Sequence, residues 1–440
     1  MDNLLAARTQ MALSLMFHII FAVVGIAMPL LMVMSEALWL KTQKSFYLDL
    51  TKRWAKGTAI FFAVGAVSGT VLSFELGLLW PTFMEHAGPI IGMPFSLEGF
   101  AFFTEAIFLG IYLYGWTRVP PVAHLLAGVM VALSGAASAV FVVTANAWMN
   151  TPTGFRLVDG RATEIDPIAA MLNPAAFPQV LHMLLASYAA AGFAVAGIHA
   201  YVLLRHPGDP FHRAALVLAL LVGMPAAILQ PLSGDISARM VARTQPAKLA
   251  AMEGQFDTEA GAPLRIGGWP DEKREETRWA LEIPKGLSLL AYHDPEAVVR
   301  GLKTFPREDR PPVAVVHVAF QAMVACGTAM AGLGLLTGVL WLLKKRPLDN
   351  RRLLWALVLA SPLGILAIQA GWLVTEVGRQ PWIIQGVMRT KDAVTPMPGL
   401  VIPLTAITLV YLLLGVVVVL LLKTQVISTM PGGKQEATDN

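Results

Sequence analysis

The sequence predicts an all-α polytopic membrane protein of about nine transmembrane helices, and three observations predict it. Of its 440 residues, 56% are hydrophobic and only 14% are charged, against roughly 25% charged in a soluble domain. The charges are clustered, and the stretches between them exceed the ~20 apolar residues that cross a bilayer core. None of these runs alternates with the period of two of a membrane barrel strand. Helices, which satisfy their backbone internally, are then the structure that lipid permits. Length alone allows two or three soluble domains, but the apolar runs favour one bundle.

In order, the spans read as residues 11–34, 57–79, 94–116, 122–148, 177–204, 214–232, 313–343, 353–376 and 400–422. No internal repeat is visible, so an inverted-repeat transporter gains no support. The first run is too long for the core of a cleaved signal peptide, and no small-residue cleavage site follows it promptly. Basic residues in short loops set the orientation. One side carries Lys41, Lys44, Lys52, Arg53, Lys56, Arg118, Arg205, Arg213, Lys344, Lys345, Arg346, Arg351, Arg352, Lys423 and Lys434. The other carries Arg8, Arg156, Arg161, Arg379, Arg389 and Lys391, plus a loop at 236–312 too long for the rule to count. The bias places the N-terminus outside, the C-terminus in the cytoplasm and the long loop outside. The chain thus divides into six spans within 1–235, an outer loop at 236–312, three spans within 313–423, and a disordered cytoplasmic tail at 424–440. The plain reading of the loop is a flexible linker, but a loop of this length between spans is more often functional or disordered than a mere connection.

Composition excludes several classes. The net charge of +4 rests on basic residues in loops between spans, so it makes no case for nucleic acid. Cys326 is the only cysteine. That excludes an internal disulfide, a cysteine zinc cluster and a C-x-x-C-H heme attachment, so any heme is held without thioether links.

Ionisable groups inside a span are costly and are functional candidates by default. They are His18, Glu75, Glu98, Glu105, His182, His199 and Glu376. With the orientation above, all but His199 fall in the outer half. Glu98 and Glu105 are nearly two helical turns apart and share a face. They suit a proton relay or the wall of a metal site; two hydrogen-bonded carboxylates at the membrane boundary are the plain alternative. A lone histidine in a span is often only packed, and most of the 20 methionines must be packing too. Yet imidazole is the commonest protein ligand to heme iron, and a histidine with a methionine from another helix makes a six-coordinate heme. His18, His182 and Met323 are candidates on that ground. His86, His124, His206, His212, His293 and His317 lie in loops or at boundaries and read as surface or interface residues. Glu75 and His199 receive no role.

The segment Glu376-Val-Gly-Arg-Gln-Pro-Trp382 resembles the heme-bearing subunit I of cytochrome bd-type quinol oxidases. FHII with His18, SLEGFAFFTE with Glu98 and Glu105, QVLHMLLASY with His182, and AFQAMVACG with Met323 resemble the family's motifs in the same order. SGDISARMVARTQPAKLAAMEG resembles the start of its quinol-binding loop, with Lys248 and Glu253 at the functional positions. The resemblance covers essentially the whole chain. It implies a bacterial inner-membrane quinol:oxygen oxidoreductase that conserves energy by vectorial chemistry. His182 and Met323 would hold a low-spin heme b. His18 and Glu376 would be axial ligands at a high-spin heme b and heme d, or a further heme b in its place, in an order the resemblance leaves open. Glu98 would approach the high-spin heme, Glu105 would carry protons inward, Trp372 would lie between hemes, and Arg379 would pair with propionates. The family implies a second membrane subunit, subunit II, and a small single-helix subunit is a further expected partner. The loop is short, as in the branch that includes the cyanide-insensitive oxidases. Ala106 stands where some relatives have a hydroxyl residue, which puts part of the proton path in doubt. Two other classes stay open at this point: a proton-coupled transporter without heme, and a heme-bearing electron-transfer anchor without oxygen chemistry.

Overall fold

The computed structural model describes residues 1–345 and 347–427. Among these, nine helical segments are long and apolar enough to cross a membrane. The helices are α1 (Asn3–Thr42), α2 (Ser45–Leu79), α3 (Pro81–Tyr114), α4 (Pro121–Asn150), the short α5 (Pro167–Met171), α6 (Ala176–Arg205) and α7 (Pro210–Thr244). Then come α8 (Pro246–Glu253) and α9 (Gly286–Tyr292) in the long loop, α10 (Val313–Leu342), α11 (Arg351–Ala360), α12 (Leu363–Val377), α13 (Thr390–Ala393) and α14 (Val401–Leu422). Local chemistry sets the boundaries. Asp2 accepts from the amides of Leu4 and Leu5 and so caps α1. Asp209 caps α7 and Asn350 caps α11 in the same way. Proline opens α3, α4 and α7, where a missing N–H costs nothing. The eighth span is built of α11 and α12, which meet at Ser361 and Pro362, where proline cannot donate to the preceding turn.

Successive long helices pack as pairs: α1 with α2, α3 with α4, and α6 with α7. The α6–α7 pair packs at very short range. A Cβ at Gly192 would lie 2.5 Å from the Gly223 Cα, so only glycine permits that approach. Elsewhere the helices turn apolar side chains outward, as on α14 with Leu409, Leu412, Leu413 and Val416. That is the surface expected in lipid.

Two expected boundaries shift. Hydropathy places the sixth span at 214–232, with the loop opening at 236, but α7 continues to Thr244. Its extra turns are polar, and the i,i+4 pair Asp235–Arg239 at 2.6 Å braces one face. Hydropathy marks only the part of a helix that sits in lipid, so it stops short there. The long loop is folded rather than a plain linker: α8, α9 and three antiparallel ribbons enclose a small core of Leu249, Ala262, Leu287 and Val299. Two further ribbons, 156–158 with 161–163 and 382–384 with 388–389, lie in other loops at the same end of the bundle. The tail expected at 424–440 falls mostly outside the described residues; Lys423–Ile427 extends α14 by a π turn.

Candidate functional site

One cavity of about 370 Å³ opens between α4, α6, α7, α10 and α12 near the loop end. Its walls are largely apolar and include small residues such as Ala186, Ala227, Gly327 and Gly364. His182 of α6, Met323 of α10 and Trp372 of α12 all line it. The His182 ring is pinned by Nδ1 to the Ser233 hydroxyl at 2.9 Å. That hydroxyl also reaches the Gln230 carbonyl at 2.8 Å, and with its one proton given there it accepts from His182. Nδ1 then carries the proton, and Nε2 keeps a lone pair for a metal. Gly371 makes room for the thioether: a Cβ there would lie 3.1 Å from the Met323 sulfur.

His18 is held by the same device. Its Nδ1 meets the Ser68 hydroxyl of α2 at 3.0 Å, and Ser68 donates to the Val64 carbonyl at 2.8 Å. The Gly65 backbone lies beside the same ring, and with the proton on Nδ1 the Nε2 of His18 keeps its lone pair. Its neighbour Ile19 packs toward α12 with Ile368 and Trp372. Trp372 therefore stands between the His182 cavity and the helix that carries His18.

Glu376 closes α12 beside that cavity. One carboxylate oxygen accepts from Asn146 Nδ2 and the other from Arg379 Nη2, both at 2.5 Å. Arg379 is only 2% exposed, yet its Nε and Nη1 have no hydrogen-bond partner among the described residues. Orphaned donors on a buried guanidinium are costly, so the place suits an anionic group. Lys248 of α8 joins the cluster: its Nζ donates to Asn150 Oδ1 at 2.6 Å, and its stem packs at Gly378. Burial and the nearby Arg379 push the Lys248 ammonium down to about 7, with Glu376 opposing.

Glu253 is also on α8 and only 1% exposed, with Oε2 lacking a partner among the described residues. Burial pushes its carboxyl up to about 8, against the pull of Arg265. Five residues at 100° each turn it about 140° from Lys248. The two expected quinol residues thus face different surroundings, one the Glu376 cluster and the other the folded loop.

Glu98 and Glu105 both face α4. Glu98 accepts from the Ser138 hydroxyl at 3.2 Å, and Glu105, 6% exposed, lies against Gly135. No hydrogen bond joins His18, Glu98 or Glu105 to Glu376 among the described residues. Reading the sequence misses Asn146 and Asn150, which hold Glu376 and Lys248. It also assigns His124, His212 and His317 to surfaces or interfaces, whereas all three are buried. His124 binds Glu36 at 2.7 Å, His212 binds His199 at 2.8 Å, and His317 binds the Met252 and Gly267 carbonyls. Each pairs with a group distant in sequence, which position at a span end does not reveal.

The donor set fits heme. Imidazole and thioether share one apolar cavity, and orphaned cationic donors stand beside it. Comparison with known proteins gives the family. Residues 6–430 match the family described as cytochrome bd terminal oxidase subunit I. The chain is 33% identical over 437 residues to cytochrome bd ubiquinol oxidase subunit 1 of Bacillus subtilis (strain 168), covering 96% of this chain and 93% of that one. It is 31% identical over 459 residues to cytochrome bd-II ubiquinol oxidase subunit 1 of Escherichia coli (strain K12), covering 88% of each. The solved bd oxidase from Geobacillus thermodenitrificans superposes with a TM-score of 0.90 at 39% identity, over 96% of this chain and 98% of that one. The fold, the match across almost the whole length and the relatives agree: this chain belongs to the cytochrome bd terminal oxidase subunit I family.

Proposed function

We propose that this chain oxidises quinol at its folded loop and delivers the electrons to oxygen, with His182 and Met323 as the axial ligands of a low-spin heme b. His18 and Glu376 are the proposed ligands of a high-spin pair, a heme b with a heme d or a further heme b. Family membership makes the chain a multi-pass subunit of a heme-bearing terminal oxidase in a bacterial inner membrane, working with a second subunit. A small single-helix subunit is a further proposed partner. The observation that carries the ligand assignment is the shared cavity of His182 and Met323, with Ser233 fixing the imidazole tautomer. When bound, the hemes supply one-electron relay and the iron at which oxygen is reduced to water.

The chain's own residues do the rest. Ser233 and Ser68 orient the two imidazoles. Arg379 would hold anionic propionates with its unpartnered N–H groups, and Trp372 fills the space between the cavity and α1. Lys248 and Glu253 are the proposed quinol residues, each on its own face of α8, and each accepts a proton as quinol is oxidised, a role suited to groups that titrate near neutral pH. With the loop outside, those protons leave on the outer side. Glu105 and Glu98 carry protons the other way, from the cytoplasm toward the oxygen site. Charge then crosses the membrane without a separate pump.

The test is the purified complex, its reduced-minus-oxidised spectrum with and without carbon monoxide, and its oxygen uptake with quinol. A low-spin heme b band, a carbon monoxide-binding heme and quinol-dependent uptake are expected. Low-spin heme alone would leave an electron carrier, and no heme band would leave a transporter; either outcome overturns the proposal.

A further inference from the structure

At the end of the bundle opposite the folded loop, α1, α3 and α4 bury a carboxylate, an imidazole and a phenol together. Glu36 is 1% exposed, His124 2% and Tyr112 0%. His124 Nδ1 meets Glu36 Oε1 at 2.7 Å, and its Nε2 meets the Tyr112 carbonyl at 2.9 Å. The Tyr112 hydroxyl lies within electrostatic reach of the Glu36 carboxylate and, like Glu36 Oε2, has no hydrogen-bond partner among the described residues. The second oxygen of Glu36, Oε2, has no hydrogen-bond partner among the described residues. A buried carboxylate half-satisfied in this way is expensive for a merely structural brace.

The cluster is in register with the glutamates above it. Glu98, Glu105 and Tyr112 recur every seven residues on α3, so they share one face and step about 10.5 Å at a time along the axis. The facing stripe on α4 runs antiparallel. Ser138 bonds Glu98, Gly135 lies against Glu105, Gly128 lies against the Tyr112 ring, and His124 ends the stripe at Glu36. The third wall is α1, with Gly25 beside Glu105, Val33 beside Gly128, and Glu36. One seam between three helices thus carries protonatable groups from Glu98 down to the far end. There the His124 ring packs, tilted by 40°, against Trp116 at 4.0 Å between centroids, near the exposed Thr117 and Arg118.

We propose that the Glu36–His124 pair is the proton-loading site of this subunit, receiving protons at the end opposite the loop and passing them by way of Tyr112 to Glu105. The pair shares one proton and takes up a second from solution. The Tyr112 hydroxyl accepts that proton on its lone pair and releases its own to water in the seam, which carries it over the remaining step of about 10 Å to Glu105, so nothing is oxidised or reduced. This rests on the oxidase reading, because only oxygen reduction consumes the protons.

The test uses the complete oxidase in liposomes with E36Q and Y112F. The side-chain amide of E36Q still accepts from His124 but cannot ionise. A brace that is only structural would tolerate that change, and a loading site would not. For E36Q, heme bands, carbon monoxide binding and the KM for quinol stay as in wild type. Turnover and the rate of proton uptake, followed by a pH-indicator dye, fall together by about tenfold or more. Y112F falls in the same direction. If E36Q fails to assemble with heme, E36D keeps the charge, shortens the reach and must show the same slowing. Turnover and proton uptake within about twofold of wild type, in whichever variant assembles, overturn the proposal. A wild-type complex that takes up no oxygen with quinol would sink the oxidase reading instead, so the two failures are distinct.

Discussion

Met323→Leu tests the low-spin ligand assignment with the least collateral change. Leucine and methionine have similar volumes, and such swaps in a core usually cost less than about 1.5 kcal/mol. Against a typical stability of about 5–15 kcal/mol, the subunit stays folded. The side chain sits at a tight place, since a Cβ at Gly371 would come within 3.1 Å of its sulfur, and leucine fits there with small adjustment. The chemistry changes far more than the packing, because leucine has no lone pair to give a metal. The assay is the reduced-minus-oxidised spectrum of the purified complex, recorded with carbon monoxide. The low-spin heme b signal should vanish almost completely and a new carbon monoxide-binding component should take its place, while total heme is retained. The cavity supplies its own controls, because Met183, Met252 and Met330 line it too. Met330→Leu and Met252→Leu should leave the low-spin band intact. If Met323→Leu keeps the band and either control loses it, the thioether has been assigned to the wrong residue.

Three other outcomes follow from the same geometry. His182→Ala should remove the low-spin band while the carbon monoxide-binding heme remains, and a band that persists rejects His182 as a ligand. Glu376→Ala should lose or displace a high-spin heme. It also removes the one hydrogen-bond partner of the Arg379 side chain among the described residues, so Glu376→Gln is measured beside it, and an unchanged heme spectrum with normal oxygen uptake in both would refute the ligand role. Glu253, whose carboxyl burial holds up to about 8, is protonated below that pH and becomes a proton acceptor only as the pH rises through it. The kcat/KM for quinol should therefore climb with pH across that range in wild type and lose the climb in Glu253→Gln; a climb of the same shape in the variant excludes Glu253 as acceptor.

The spans were legible because lipid imposes one strong rule on composition, and the nine apolar helices among the described residues obey it. What hydropathy cannot see is a helix that outlasts the membrane. The turns of α7 around Asp235 and Arg239 are helical for reasons of local charge pairing and packing, not of lipid. The run GRQPW was legible as a motif, and the structure supplies its physics. A Cβ at Gly378 would lie 2.3 Å from the Val374 carbonyl and 3.1 Å from the Lys248 stem, while Arg379 secures Glu376. Asn146 and Asn150 were not legible, because an uncharged amide in a helix carries no alarm until its partners are known.

The same blindness explains the seam at the far end. The seven-residue step from Glu98 to Glu105 was visible, but its continuation to Tyr112 was not, since a phenol is not flagged as a membrane charge. Glu36 lies just past the apolar run 11–34, so a rule about charges within spans passes over it. His124 sits near the first turn of α4 and looks like a boundary residue. Yet any path that brings protons to a buried oxygen site must begin at the level where apolar run gives way to polar end. A group there must be buried enough to hold a proton apart from solvent and near enough to the surface to be refilled. Glu36 and His124 meet both conditions under Trp116, which is why the residues least visible to hydropathy are the ones best placed to load the chain of carboxylates above them.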